Sequence, residues 1–187
     1  MTTAGTSHRL TGYGLAVELA DRWEGRIYQR PVPAPAMPSG ALPAVGLSGS
    51  KAGGSSSVAR WSDERSHPIM HLANFALPGA RGDYGTGAVE RMGSDDVFIA
   101  LLQFGADCLD TALFAPRGLP AVRAADFNPN GLQRKVAGQA GFQHFCTLDG
   151  PHGSRPMCLY VVLGAHRQAA AQCGPINQVL DRVEVTA

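Results

Sequence analysis

Apolar and polar positions alternate through residues 13–19, where Tyr13, Leu15, Val17 and Leu19 are separated by Gly14, Ala16 and Glu18. That period of two predicts a strand. Ala20-Asp21 interrupts it, and residues 23–30 predict a second strand with Trp23 and Ile27 as buried anchors. The pair predicts an N-terminal hairpin or tight corner. Residues 1–9 are polar and read as a disordered tail. Farther along, residues 69–77 (IMHLANFAL) and 96–104 (DVFIALLQF) predict strands, the latter apolar on both faces. Residues 111–115 and 132–136 predict weaker strands, and 119–127 a loop or short helix.

The strongest pattern spans residues 142–163, two apolar runs of β type joined by a short Gly/Pro loop. A hairpin centred near His152 sets Cys146 opposite Cys158, His144 opposite Tyr160 and Phe142 opposite Val162. Side chains alternate faces along a strand. One face then carries Phe142, His144, Cys146, Leu148, Tyr160 and Val162, and the other Phe145, Met157, Leu159, Val161 and Leu163. Both are mostly apolar, which predicts an interior hairpin covered on two sides. The last element reads as a helix. Pro175 suits its first position, and Ile176, Val179, Leu180 and Val183 follow as an apolar stripe. Residues 167–172 are a possible helical extension upstream.

Residues 31–66 break the pattern with PVPAPAMPSG and GLSGSKAGGSSS. Proline favours extended backbone and Gly/Ser favours flexible coil. This segment reads as a flexible insertion, because residues 1–30 are too few to bury a core and must pair with strands beyond it. The expected fold class is α+β: a single domain over residues 10–187 built on a curved antiparallel sheet. The C-terminal helix is expected on one face and shorter helices on the other.

The chain has 187 residues, enough to bury roughly 70% of its unfolded surface without a disulfide or metal. Its formal charge of +1 creates no field favouring nucleic acid. Arginine outnumbers lysine, with only Lys51 and Lys135 present, as in chains from GC-rich genomes. No signal-peptide pattern opens the chain, and no apolar run reaches the roughly 20 residues of a membrane span. The expectation is a cytoplasmic protein with reduced thiols. Cys146 and Cys158, if opposed, are either a redox pair or two small core residues, and the lack of a basic neighbour favours the core. His67 and His71 share a strand face but lie roughly 13 Å apart, too far for one metal. His144 reads as a hydrogen-bonded interior histidine.

The most polar place between two strong strands is Arg81-Gly82-Asp83-Tyr84-Gly85, followed by Glu90 and Asp95-Asp96. Binding residues concentrate on such loops, so Arg81, Asp83 and Tyr84 are the candidate binding residues. Gly82, Gly85 and Gly87 also suit tight turns. The carboxylates of Asp83, Glu90 and Asp95 raise an alternative, a small enzyme with or without a divalent metal. No phosphate-binding loop, dinucleotide fingerprint, nucleophile elbow or zinc-protease motif occurs, and no cofactor is expected.

The opening GYGLAVELADRWEGRIYQR resembles the strand–turn–Trp–strand start of PsbP-like domains. The closing FQHFCTL and MCLYVVL runs, then PINQVLDRV and VEV, resemble the end of that fold. Ala20-Asp21 stands where those domains commonly carry a Pro-containing turn. HLANFALPGARGDYGTGAVERMGSDDVFIALLQF and LQRKVAGQAGFQHF further resemble uncharacterised proteins of GC-rich actinobacteria. The resemblance implies a fold whose members mainly bind other proteins, and no functional residue transfers from it. The expected role is therefore a non-catalytic protein-binding, adaptor- or chaperone-like module whose partner is another protein. A structural subunit of a larger assembly is a further alternative.

Overall fold

The computed structural model describes residues 7–29, 67–132 and 136–187. Among the described residues the architecture is α+β, with eight strands in two antiparallel sheets and one α-helix near the C-terminus. No described helix is long and apolar enough to cross a membrane.

The smaller sheet has the order β1-β2-β8, from β1 (Ser7–Gly12), β2 (Leu15–Ala20) and β8 (Val183–Val185). The larger sheet has the order β3-β4-β5-β7-β6. Its strands are β3 (Glu24–Gln29), β4 (Pro68–Ala73), β5 (Val97–Gln103), β6 (Ala140–Gly150) and β7 (Gly153–Leu163). Two sheets thus replace the single curved sheet expected from sequence. The cause is local. Trp23 N–H bonds the Ala20 carbonyl at 2.8 Å, closing a tight turn that sends β3 away from β2. Residues 7–9, expected to belong to a disordered tail, instead open β1, since Ser7–Gly12 pair along the whole of β2.

β3 pairs with β4, so chain segments on either side of residues 31–66 meet in one sheet. The insertion itself, like residues 1–6, lies outside the described residues. Gly25 marks where the sheets press together. A Cβ there would stand 2.7 Å from Leu19 Cδ1 and 2.8 Å from Leu10 Cδ2. The missing side chain lets the small sheet seat against β3.

The larger sheet is covered on both faces. On one, Met70, Leu72, Ile99, Leu101, Leu159 and Val161 pack with Val17 and Leu19 of the small sheet. Helix α1 (Ala169–Leu180) covers the same face through Ile176, Val179 and Leu180. On the other, Ile69, Phe98, Leu102, Tyr160 and Val162 pack under Leu77 and Val89. Single 3-10 turns fall on both faces, since Val89 joins one cluster and Ala124 touches the other. The expected confinement of short helices to one face does not hold.

Several element boundaries differ from expectation. Pro175 sits inside α1, not at its start. The Ala-rich run from Ala169 favours helix strongly enough to begin the element a turn and a half earlier. The carbonyl that Pro175 leaves unbonded belongs to exposed Ala171, where water can serve it. Val183 belongs to β8 instead of the helix stripe. Strand β4 stops at Ala73 because Asn74 turns its side chain to the next strand, accepting from Val97 N at 2.7 Å. Residues 112–114 form a 3-10 turn where a strand was expected. Of the expected strand at 132–136, residues 133–135 lie outside the described residues, and Leu132 and Val136 belong to no strand.

The β6–β7 hairpin forms with a register one residue from that expected. Gly150 pairs with Gly153 across a two-residue turn, Pro151-His152. Phe142 therefore faces Val161, His144 faces Leu159, and Cys146 faces Met157. A slip of one residue moves a strand's whole side-chain set to the other face. Cys146 accordingly lies in the helix-side cluster and Cys158 in the opposite one. Only β7 is interior. β6 is an edge strand, partly masked where Asn128 pairs with Gly141 and where Thr147 bonds Pro116 and Gly118. His144 is half-buried there, its ring stacked on Phe142 at 6.2 Å.

Candidate functional site

The loop between β4 and β5 folds back over the sheet. Gly85 and Gly87 have φ of +84° and +90°, which side chains rarely adopt. A Cβ on Gly85 would also stand 2.5 Å from the Phe98 ring. Backbone bonds from Gly82 N–H to Thr86 O and from Gly85 N–H to Gly82 O, both 2.8 Å, close the turn. The sequence supplies glycine where the chain must turn and where it must touch the core.

His71 of β4 lies beneath this loop, fully buried. Arg81 Nε donates to His71 Nδ1 at 2.8 Å. Arginine only donates, so Nδ1 is the acceptor and Nε2 carries the proton. Nε2–H then donates to the Asp83 carbonyl, also at 2.8 Å. Edge contacts with Tyr28 and Phe98, centroids 5.2 and 5.0 Å away, hold the ring plane. Burial pushes the imidazole pKa down to about 4, and the Arg81 charge pushes the same way against the Asp83 carbonyl. His71 is therefore neutral at physiological pH. It acts as a two-ended clamp on the loop, and it reaches no solvent.

The three candidate binding residues are close in sequence but differ in environment. Arg81 also donates to the Pro78 carbonyl at 2.8 Å and lies over the Tyr28 ring, 5.4 Å from its centroid. Arg81 also lines a groove of about 270 Å³ together with Arg26, Ile27, Tyr28 and Gly79. Asp83 gives its backbone carbonyl to His71. Tyr84 turns inward, its ring edge-on to Tyr160 at 5.3 Å, with a hydrogen bond to Cys158. The groove thus joins Arg81 to Tyr28 and Arg26 of β3, residues that loop composition alone does not single out. Arg26 is shared with Glu24 at 3.2 Å, an exposed pair of little energetic weight.

The alternative carboxylates are engaged separately. Glu90 accepts from Gly87 N at 2.6 Å, and Asp95 accepts from Gln168 at the start of the helix at 2.5 Å. Among the described residues, no group of three or more His, Cys, Asp or Glu is placed to hold a metal ion. His67 and His71 have different partners, Gln103 for the first and Arg81 with Asp83 for the second.

All four cysteines are free thiols. Burial pushes Cys146 up to about 11 and also raises Cys158, so neither is a nucleophile at neutral pH. Native protein is expected to react with a thiol reagent at Cys108 first, and at Cys146 and Cys158 only on unfolding. Mass mapping after timed labelling checks this. A Cys146–Cys158 disulfide formed in folded protein would contradict the register.

Two large apolar side chains, Tyr13 and Leu113, are exposed among the described residues, each on its own turn. No protein-family model, curated protein or solved structure matches this chain.

Proposed function

We propose that the chain is a non-catalytic protein-binding module, adaptor- or chaperone-like, whose Arg81 groove receives an acidic side chain or terminal carboxylate of a partner protein. One observation carries this reading. Arg81 is held from behind by His71 and Pro78, lies over Tyr28, and has no carboxylate partner among the described residues. A guanidinium with its orientation already set loses little entropy on meeting a carboxylate and can bind it through two N–H groups. The PsbP-like resemblance supports a protein partner by fold analogy. The near-neutral charge argues against nucleic acid. Four free thiols suit the proposed cytoplasmic location.

The test is affinity capture from the native host with wild-type and Arg81→Glu baits, followed by mass spectrometry. Charge reversal is expected to remove the specific partner while Gly174→Ala, at an open position on the helix away from the groove, retains it. Equal capture by wild-type and Arg81→Glu baits of matched thermal stability would refute the reading.

A further inference from the structure

A second cleft opens where strand ends from both sheets meet, and it does not depend on the Arg81 groove. It has a volume of about 390 Å³. Its main polar side chains are Tyr13, Gln29, His67, Gln103, His152 and Arg155. Tyr13 belongs to the β1–β2 turn, Gln29 and Gln103 end β3 and β5, and Arg155 is the third residue of β7.

The hydrogen bonds here run in one direction. Arg155 Nη1 donates to the Tyr13 carbonyl at 2.9 Å and to Gln103 Oε1 at 3.1 Å. Arginine cannot accept, so the Gln103 oxygen faces Arg155 and its Nε2 faces His67 Nδ1 at 3.3 Å. His67 Nδ1 is then the acceptor, and the ring proton sits on Nε2. That nitrogen is buried and has no hydrogen-bond partner among the described residues. Unsatisfied buried donors are rare in native proteins and call for a specific explanation. At the other end, Arg155 keeps the N–H of Nε and both of Nη2 unspent by any bond among the described residues. The Arg155 end of this network therefore carries surplus donors.

Acceptors do not balance them. Among the described residues, no Asp or Glu lines the cleft. The nearby Asp149 is already paired with Arg117 at 2.9 Å and accepts from Ser154 at 2.6 Å.

The backbone supports a built site. Tyr13 has φ of +53°, the one non-glycine residue with positive φ among those described. The residue is 53% exposed and lines the cleft. Two-residue hairpin turns with both φ positive favour Asn, Asp or Gly at this place, so an exposed tyrosine is held there against local preference. Gly14, the next residue, has φ of +73°, and a Cβ on it would collide with Arg155 Nη2. Glycine is what lets the guanidinium lie against the turn.

We infer that this cleft binds a small molecule through an oxyanion group, phosphate or carboxylate, held by Arg155, with its organic body against Tyr13. The volume lies within the range of roughly 300–1,000 Å³ typical of small-molecule sites and exceeds what a bare oxyanion needs.

The test is an NMR titration of the isotope-labelled full chain with inorganic phosphate and, separately, acetate. Ionic strength is held constant with chloride. Saturable shifts are expected at Arg155 Nε–H and at the amides of Gly14, Gly153 and Ser154. The anion giving the lower Kd identifies phosphate or carboxylate as the group. Arg155→Gln is expected to weaken binding at least tenfold, and Arg155→Lys to retain part of it. Linear or scattered shifts with both anions in wild-type protein would overturn the inference whether or not the variants fold. So would unchanged binding by folded Arg155→Gln.

Discussion

Replacing Gly164 by alanine is expected to lower stability by about 3 kcal/mol, at the upper end of overpacking effects. Gly164 follows β7, and its N–H bonds the Asp96 carbonyl at 2.8 Å. A Cβ there would stand 1.7 Å from the Gly93 carbonyl oxygen and 3.3 Å from that of Asp96. Both obstacles are backbone, so no side chain can rotate away. Gly93 is itself fixed, its N–H bonded to Asp96 Oδ2 at 2.7 Å and its carbonyl accepting from Asp96 N. Moving it dismantles the turn that launches β5, the central strand of the larger sheet. For a chain of this length the midpoint should fall by roughly 6–12 °C. Gly79→Ala, with nothing within 4 Å of its new methyl group, should stay near wild type. Thermal unfolding of the two variants checks the pair, and a wild-type midpoint for Gly164→Ala would contradict the packing of β5 against β7.

His71→Ala should cost about 3–4 kcal/mol at neutral pH, because it leaves Arg81 and the Asp83 carbonyl without their buried partner and opens a cavity. It should also change how stability depends on pH. The folded-state pKa is about 4, below the ordinary histidine value of 6.5. As pH falls through that interval the unfolded chain takes up the proton first, so folding loses ground. The contribution is fully present above about 6.5, declines between 6.5 and 4, and levels off below 4, with a total near 3 kcal/mol. His71→Ala removes this component, and its stability should fall less steeply over the same interval. Urea unfolding at several pH values measures both effects. Parallel slopes for wild type and variant would refute a neutral, buried His71.

The strands were legible because alternation and apolar runs report burial directly. Val97–Gln103 and the 142–163 hairpin were found for that reason. The division into two sheets was not legible. It depends on the turn after Ala20 and on leucines closing over Gly25, contacts between segments far apart in sequence. The hairpin register was missed by one residue because Gly150 and Gly153 permit either a two-residue or a longer loop, and composition does not choose between them. Arg81 stood out as a charge on a polar loop. His71 did not, since its partners lie ten and twelve residues downstream and reach it only after Gly85 and Gly87 turn the chain. Arg155 and Gln103 were equally silent, because their meeting depends on how the larger sheet aligns its strand ends.

A neutral His71 fixes the loop that presents Arg81, and two-bond 1H–15N correlation spectra of the histidine rings read its tautomer. For His71 they should show the Nε2–H tautomer with an unprotonated Nδ1 at pH 6, and titration only near pH 4. An Nδ1–H tautomer, or a midpoint near 6.5, would contradict the clamp and remove the basis for a preset Arg81.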